Sequence, residues 1–355
     1  MSSTSATGES AVFSREELER VGTDVLVGLC APLDIAECVA KSLVLANLFG
    51  HDSHGVVRLS QYAGWVADGQ IQPKARPEVA QRRGAIAIID GHWAFGQPSA
   101  HMATALSTEQ CAEHGISGIA IRNCNHIGRV GEYVTAIAEA GFMGLAVCNS
   151  GPAVAPFGGT GRVMGTNPFA WSVPRAGGAA MVLDFATSIV AEGKLNIARS
   201  EGRLVSPEYV LDVEGRPTVD PNDYFAGGAL VPFGLHKGSG MSMLIELTGG
   251  LLSQMGTSPA SNFKGGNGTL ILALDVGLFE DLTQYIDEVE QFCALAKAPG
   301  PGYSGSEVLV PGESEARTAA ARTASGIPVN DEIRRQITEV ADASGVDVGR
   351  FRLGR

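Results

Sequence analysis

Apolar residues recur every three to four positions from Leu18 through Val21, Val25 and Leu26, and again from Ile35 through Cys38, Val39, Leu43, Val44 and Leu48. That spacing places them on one face of an α-helix and predicts two helices joined near Ala31-Pro32. Ahead of the first, Ser14 and Glu17 make a capping box, in which hydroxyl and carboxylate cover amides that the opening turn leaves unpaired. The first dozen residues carry no such pattern and are expected to be unstructured. Ile71-Gln-Pro73 and Pro77 close this helical region in a loop.

Between residues 86 and 190 the pattern shortens to β-rich runs at 85–89, 116–121, 144–148, 169–173 and 181–185. The stretches between them at 99–114 and 131–140 have helical composition, so strands and helices mix in an α/β arrangement. A helix over about 238–255, a strand over about 268–276 and a helix over 282–298 continue it, the last with Leu282, Ile286, Val289, Phe292 and Leu295 on one face. The Gly- and Pro-rich stretch 298–306 reads as a surface loop. Asn330 or Asp331 then opens a final amphipathic helix through Ile333, Ile337 and Val340. The expected organisation is a helical lobe over 1–80, joined by a C-terminal helix over 328–355, and an α/β region over 81–315.

With 355 residues, 45% of them hydrophobic and 18% charged, the chain can bury a sizeable core. Its 46 glycines point to tight turns and ligand-facing loops. A net charge of -12 without a basic stripe argues against nucleic acid. The start lacks the basic and apolar regions of a signal peptide, and Asp34, Glu37 and Lys41 interrupt the most apolar helix, so a cytoplasmic protein with no membrane partner is expected. The six cysteines form no C-x-x-C pair and are expected to be buried, reduced thiols.

The dinucleotide fingerprint G-x-G-x-x-G is absent; Gly158-Gly-Thr-Gly161 with Gly165, and Gly238-Ser-Gly240, do not complete it. A Walker A motif fails because Gly193-Lys194 is followed by Leu195. No metal site is expected, since His51-x-x-His54 lacks the zinc spacing and a cysteine pair. No G-x-S-x-G elbow supports a serine hydrolase.

Two histidines stand in short polar, Gly-containing contexts: His51-Asp-Ser-His54-Gly-Val-Val-Arg58 and Asn123-Cys-Asn125-His126-Ile-Gly128-Arg129. If a helix begins near Ser53, His54 and Arg58 share a face, one able to pass a proton while the other clamps a carboxylate. Reduction of a 2-oxo acid needs that pair of functions. The plain alternative is an N-capping Ser53 and a solvated Arg58. His126 follows a strand end, where α/β sheets place ligands; its plain alternative is a histidine satisfying a turn carbonyl.

Taken in order, Asp52-Ser-His-Gly-Val-Val-Arg-Leu59 with Tyr62, Asn125-His-Ile-Gly128, Asn149 to Gly159, Gly165-Thr-Asn-Pro-Phe169, Asp184-Phe-Ala-Thr-Ser188, Asp220-Pro, Gly227 to Pro232, His236-Lys-Gly-Ser-Gly240 and Val310-Pro-Gly-Glu313 resemble the malate/L-lactate dehydrogenase family. Its relatives include ureidoglycolate and sulfolactate dehydrogenases and diketogulonate and piperideine-2-carboxylate reductases. The resemblance implies a non-Rossmann dinucleotide-binding α/β fold, a mixed sheet with flanking helices, and a homodimer with NAD or NADP near the subunit interface. It further implies that Ser150, Asp184, Phe185, Ala186, Lys237, Gly312 and Glu313 contact the cofactor, with Asn125 and Gly128 close by. His126 or His54 would transfer the proton, with the choice leaning to His126. Ser53 would orient His54, Arg58 would hold the carboxylate, and Tyr62, Thr166 and Asn167 would border the substrate. Two features depart from the family pattern: His236 before the Lys-Gly pair, and the short segment 254–261. The expected activity is hydride transfer between nicotinamide and a small 2-hydroxy or 2-oxo acid. The alternatives are reduction of a cyclic imino acid and a catalytically silent nucleotide-binding protein.

Overall fold

A computed structural model describes residues 10–300 and 305–352. Part of the stretch expected to be unstructured therefore lies outside the described residues, and the rest is not unstructured. Strand β1 (Ser10–Phe13) pairs antiparallel with a strand near the C-terminus, because Phe13 has a core to enter and is 2% exposed. Helix α1 (Arg15–Gly28) begins on the expected capping box: the Glu17 amide donates to Ser14 Oγ at 3.2 Å, and the Ser14 amide to Glu17 Oε2 at 2.9 Å. Helices α2 (Leu33–Leu48) and α3 (Arg58–Ala67) complete the first helical group.

Next come β2 (Glu78–Arg83), β3 (Ile86–Asp90), α4 (Gly96–His114), β4 (Ile116–Arg122), α5 (Gly131–Glu139), β5 (Met143–Cys148), β6 (Phe169–Pro174) and β7 (Ala180–Phe185). A small unit follows: α6 (Glu192–Ser200), β8 (Val210–Leu211), β9 (Pro217–Thr218), α7 (Pro221–Phe225) and β10 (Ala229–Leu230). Helix α8 (His236–Ile245) runs on through a π-helical turn, Glu246–Leu251, where a continuous α-helix was expected. Then come β11 (Thr269–Leu274), α9 (Leu282–Lys297), α10 (Glu313–Ser325), β12 (Ile327–Asn330) and α11 (Asp331–Ala343). The C-terminal segment thus opens as a strand, with Asn330 capping α11 through the Ile333 amide at 2.9 Å; residues 353–355 lie outside the described residues, as do 301–304 of the Gly- and Pro-rich loop.

Seven strands form one mixed sheet in the order β2-β3-β4-β11-β5-β6-β7. Only the β3–β4 pairing is parallel, bridged by α4 as a β-α-β crossover; β11 runs antiparallel between β4 and β5. Helices α4 and α5 cover one face, burying Ile89, Ala103, Ile119, Ile121, Val134, Ile137 and Ile271. On the other face, Val173 and Met181 meet Val289 and Cys293 of α9. A separate core unites the N-terminal helices with the C-terminal segment, where Phe13, Leu18, Leu26, Val39, Leu43 and Leu59 pack with Ile327, Val329, Ile337 and Phe351. The small unit has its own core of Val154, Leu195, Val210, Tyr224 and Leu230. No described helix is long and apolar enough to cross a membrane.

Candidate active site

No α-helix begins at Ser53. Asp52–His54 is a single 3-10 turn, broken at Gly55 before α3 begins at Arg58. The break comes from Asn47, whose Oδ1 accepts the Val56 amide at 2.8 Å and whose Nδ2 donates to Asp52 Oδ1 at 2.6 Å. A methyl on Gly55 would overlap the Asn47 side chain, so the chain needs glycine there. Arg322 of α10 then clamps the Asp52 carboxylate with both terminal nitrogens, at 2.6 and 2.9 Å. Sequence periodicity gave no hint of this clamp.

That turn still brings His54 and Arg58 together. Ser53 Oγ lies 3.1 Å from His54 Nδ1, so Ser53 is not an N-cap, and Arg58 Nε donates to the Ser53 carbonyl at 2.6 Å. Arg58 Nη1 donates to Gln61 at 2.5 Å. None of the ion pairs among the described residues includes Arg58, which leaves its charge available to a carboxylate. Gly193 of α6 closes over Ser53, since a methyl there would stand 2.7 Å from Ser53 Cβ.

His126 sits on the loop leaving β4 and stacks on His54, with ring centroids 5.5 Å apart and planes 19° from parallel. Its Nδ1 is 2.8 Å from the Tyr62 hydroxyl, which in turn accepts from Gln97 Nε2 at 2.8 Å. Tyr62 is 1% exposed and Gln97 fully buried. This relay engages Nδ1 and leaves Nε2 as the ring atom available for chemistry. Gln97 lies in an apolar helix start, where a periodicity reading passes over it. Gly96 beside it allows α4 to touch the His126 loop, because a methyl there would overlap the Asn125 and His126 carbonyls.

Burial is the largest cause lowering both imidazoles. His54 is pushed down to about 3, with Arg58, His51 and Arg129 adding to the effect. His126 is held well below 6.5, with Arg58 and His54 adding. Both are neutral bases in the folded chain. The unfolded chain takes up protons near 6.5 that the native chain refuses, so stability is greatest above pH 6.5 and falls as the pH drops toward 3. Urea midpoints measured at pH 7.5 and 5 should therefore differ, and His54→Gln should narrow the difference. An unchanged gap would remove His54 from the explanation.

A second group gathers around the end of β7. Asp184, at the end of β7, accepts the Gly131 amide at the start of α5 at 2.7 Å. Burial raises its carboxyl, opposed by Arg129, the Gly131 amide and His51. Phe185 packs edge-on against Phe233 at 5.2 Å. Gly312, with φ of 89°, turns into α10 against Val182 of the same strand, while Glu313 is already engaged by Lys297 and by the Val310 amide at 3.2 Å. Gly128 has φ of 81°, a left-handed backbone that suits glycine. The Asn125 amide is spent on the Gln70, Trp93 and Ala94 carbonyls, so its side chain is not free.

A third group is organised by Glu246 in the π-helical turn. Its carboxylate is 4% exposed and accepts from Asn149 Nδ2 at 3.1 Å, Asn167 Nδ2 at 2.8 Å, the Gly165 amide at 3.2 Å and the Ser258 amide at 2.8 Å. Asn167, with φ of 36°, uses its Oδ1 to take the Ser150 amide at 3.1 Å, and Ser150 Oγ lies 3.5 Å from Thr166 Oγ1. The segments 149–150 and 165–167 are thus locked together. Lys237 lies on the exposed first turn of α8. Near it opens a cleft of about 810 Å³ lined by Pro156, Phe157, Ile189, Pro207, Val231 and Leu235, in which Glu208 is the one titratable group. Among the described residues no cluster has metal-binding composition.

Residues 13–338 match a family model described as malate/L-lactate dehydrogenase. A malate dehydrogenase from Pyrococcus abyssi is 31% identical over 345 residues, which is 94% of each chain. Hydroxycarboxylate dehydrogenase B from Escherichia coli O157:H7 is 34% identical over 319 residues, 88% of each. Among solved structures, Δ1-piperideine-2-carboxylate reductase from Pseudomonas syringae pvar. tomato superposes with a TM-score of 0.82 at 29% identity, covering 93% of this chain and all of that one.

Proposed function

Because the chain belongs to the malate/L-lactate dehydrogenase family, we propose that it is an NAD(P)-dependent dehydrogenase of a small 2-hydroxy acid, with His126 exchanging the hydroxyl proton. The observation carrying this is the stacked His54–His126 pair beside Arg58, an arginine without an ion-pair partner among the described residues. Arg58 holds the substrate carboxylate, which sets the hydroxyl-bearing carbon beside the imidazoles. His126, anchored at Nδ1 by Tyr62, takes the hydroxyl proton on Nε2 during oxidation and returns it during reduction. Ser53 fixes the His54 ring, which walls the site and excludes water.

A buried guanidinium with an orphaned nitrogen, Arg129 Nε, next to Asp184 fits a bound anionic dinucleotide. Asp184, Phe185, Ala186, Gly128, Ser150, Gly312 and Lys237 would hold it. When bound, the nicotinamide supplies or accepts the hydride at the substrate C2. The exposed apolar residues Met243, Leu244, Leu247, Leu251 and Leu252 support pairing of two copies through α8 and its extension.

The likeness to a piperideine-2-carboxylate reductase favours, as the second reading, an imino acid held by the same Arg58. One panel separates them: malate, lactate, ureidoglycolate, sulfolactate and cyclic imino acids, each with both cofactors, followed by NAD(P)H absorbance. Turnover of a hydroxy acid is expected, and Arg58→Gln should raise its KM by roughly 10- to 100-fold, the loss of a charge-assisted bidentate pair. Turnover of imino acids alone would give the second reading, and silence across the panel would remove both.

A further inference from the structure

Arg129 is 5% exposed and lies three residues beyond His126 on the same loop. Its guanidinium carbon stands 4.7 Å from the centre of the Phe49 ring, and its Nε has no hydrogen-bond partner. None of the ion pairs among the described residues includes it. The Asp184 carboxylate offsets part of that charge, but a buried guanidinium left without a hydrogen-bond partner on Nε marks a place where an anion arrives. The position is well defined. A methyl on Gly131 would stand 2.5 Å from Arg129 Nη1 and 2.7 Å from Asp184 Oδ2, so the two groups flank the start of α5 without forming an ion pair. The Gly312 turn lies against Val182 on the same strand as Asp184.

Two anions are available in a 2-hydroxy acid dehydrogenase: the substrate carboxylate and the phosphates of the dinucleotide. The carboxylate belongs with Arg58, whose Nε donates to the carbonyl of Ser53, the residue whose hydroxyl lies 3.1 Å from His54 Nδ1, whereas Arg129 lies over the Phe49 ring beside Gly131 and Asp184. Arg129 therefore stands beside the strand end of Asp184. Resting on the dehydrogenase reading above, we propose that Arg129 binds a phosphate group of the dinucleotide, with Gly128 and Gly131 keeping the loop bare enough for that approach. A phosphate has two sources in these cofactors, the bridging pyrophosphate and the ribose 2′-phosphate of NADP. Arg129 supplies parallel N–H donors suited to either.

The test is calorimetric or fluorescence titration of the full chain with NAD, NADP, nicotinamide mononucleotide and nicotinamide riboside, using wild type, Arg129→Met and Arg129→Lys. Arg129→Met should weaken phosphate-bearing ligands by about tenfold or more, reduce the salt dependence of their binding and leave the riboside unchanged. Arg129→Lys should recover part of the loss. Equal losses for NAD and NADP assign the pyrophosphate; a loss confined to NADP assigns the 2′-phosphate. Unchanged dinucleotide binding by Arg129→Met overturns the proposal. So does equal weakening of riboside and dinucleotide, which would make Arg129 a counter-charge for Asp184. Should Arg129→Met fail to fold, Arg129→Lys carries the same comparison, with wild-type NAD and NADP affinities overturning the proposal. Absence of dinucleotide binding by the wild-type chain overturns the dehydrogenase reading itself and needs no variant to detect.

Discussion

Replacing His126 by alanine should lower kcat by about a thousandfold, near 4 kcal/mol of transition-state stabilisation, while His54→Ala should cost about tenfold. The asymmetry follows from what each ring is tied to. His126 Nδ1 belongs to a buried Tyr62–Gln97 relay that presents Nε2 as the base, whereas His54 Nδ1 meets only the neighbouring Ser53 hydroxyl. Tyr62→Phe should then lower kcat by about tenfold with little change in KM, because it loosens the base without touching the carboxylate clamp. The pH profile gives an independent reading. A neutral base works above its pKa, and in the free enzyme His126 lies well below 6.5, so kcat/KM for oxidation should stay level through pH 6. A carboxylate seated on Arg58 offsets one of the charges that depress His126. The acid limb of kcat should therefore sit at higher pH than that of kcat/KM. A larger loss from His54→Ala than from His126→Ala would exchange the two roles.

Glu246→Ala should destabilise the fold by about 3–5 kcal/mol, read as a lower urea midpoint, because it strands several buried donors at once. Asn149 Nδ2, Asn167 Nδ2 and the amides of Gly165 and Ser258 all converge on that carboxylate. Glu246→Gln keeps an acceptor oxygen but sets an amide against donors, so it should fall between wild type and alanine. The stability loss should come with weaker binding at Ser150 and Thr166, since Asn167 joins those segments. A Glu246→Ala protein with wild-type stability would mean that water replaces the carboxylate at little cost.

Much of this arrangement was legible in the chain. Short β-rich runs located β3 to β7 and β11 within a residue or two, and Ser14 and Glu17 marked the start of α1, because buried strands and helix caps leave a trace in composition. Elements without that trace were missed. β2 is exposed along its whole length, and α10, rich in alanine and charge, buries no residue fully. The Ser-His-Gly and Asn-His-x-Gly segments identified both histidines, yet their stacking depends on the Asp52–His54 turn and the β4 loop meeting across the fold. Gln97, Arg322 and Glu246 act through hydrogen bonds formed between distant segments, which no local pattern encodes. No helix begins at Ser53 for a related reason: Asn47, several residues upstream, holds the backbone in a turn.

Strand β11 has one more consequence. It fills the slot between β4 and β5, although about 120 residues separate β5 from it in the chain. Asn267, just before it, accepts the Ile127 amide at 3.2 Å, and its own amide reaches the Cys124 carbonyl at 2.8 Å, so the His126 loop is shaped from the late-arriving side. A chain emerging from the ribosome holds two open strand edges at the centre of its sheet until residue 274 is available, a period in which those edges invite pairing with other chains. Closure of the sheet and the shaping of the His126 loop are thus acquired together, in one late step of synthesis.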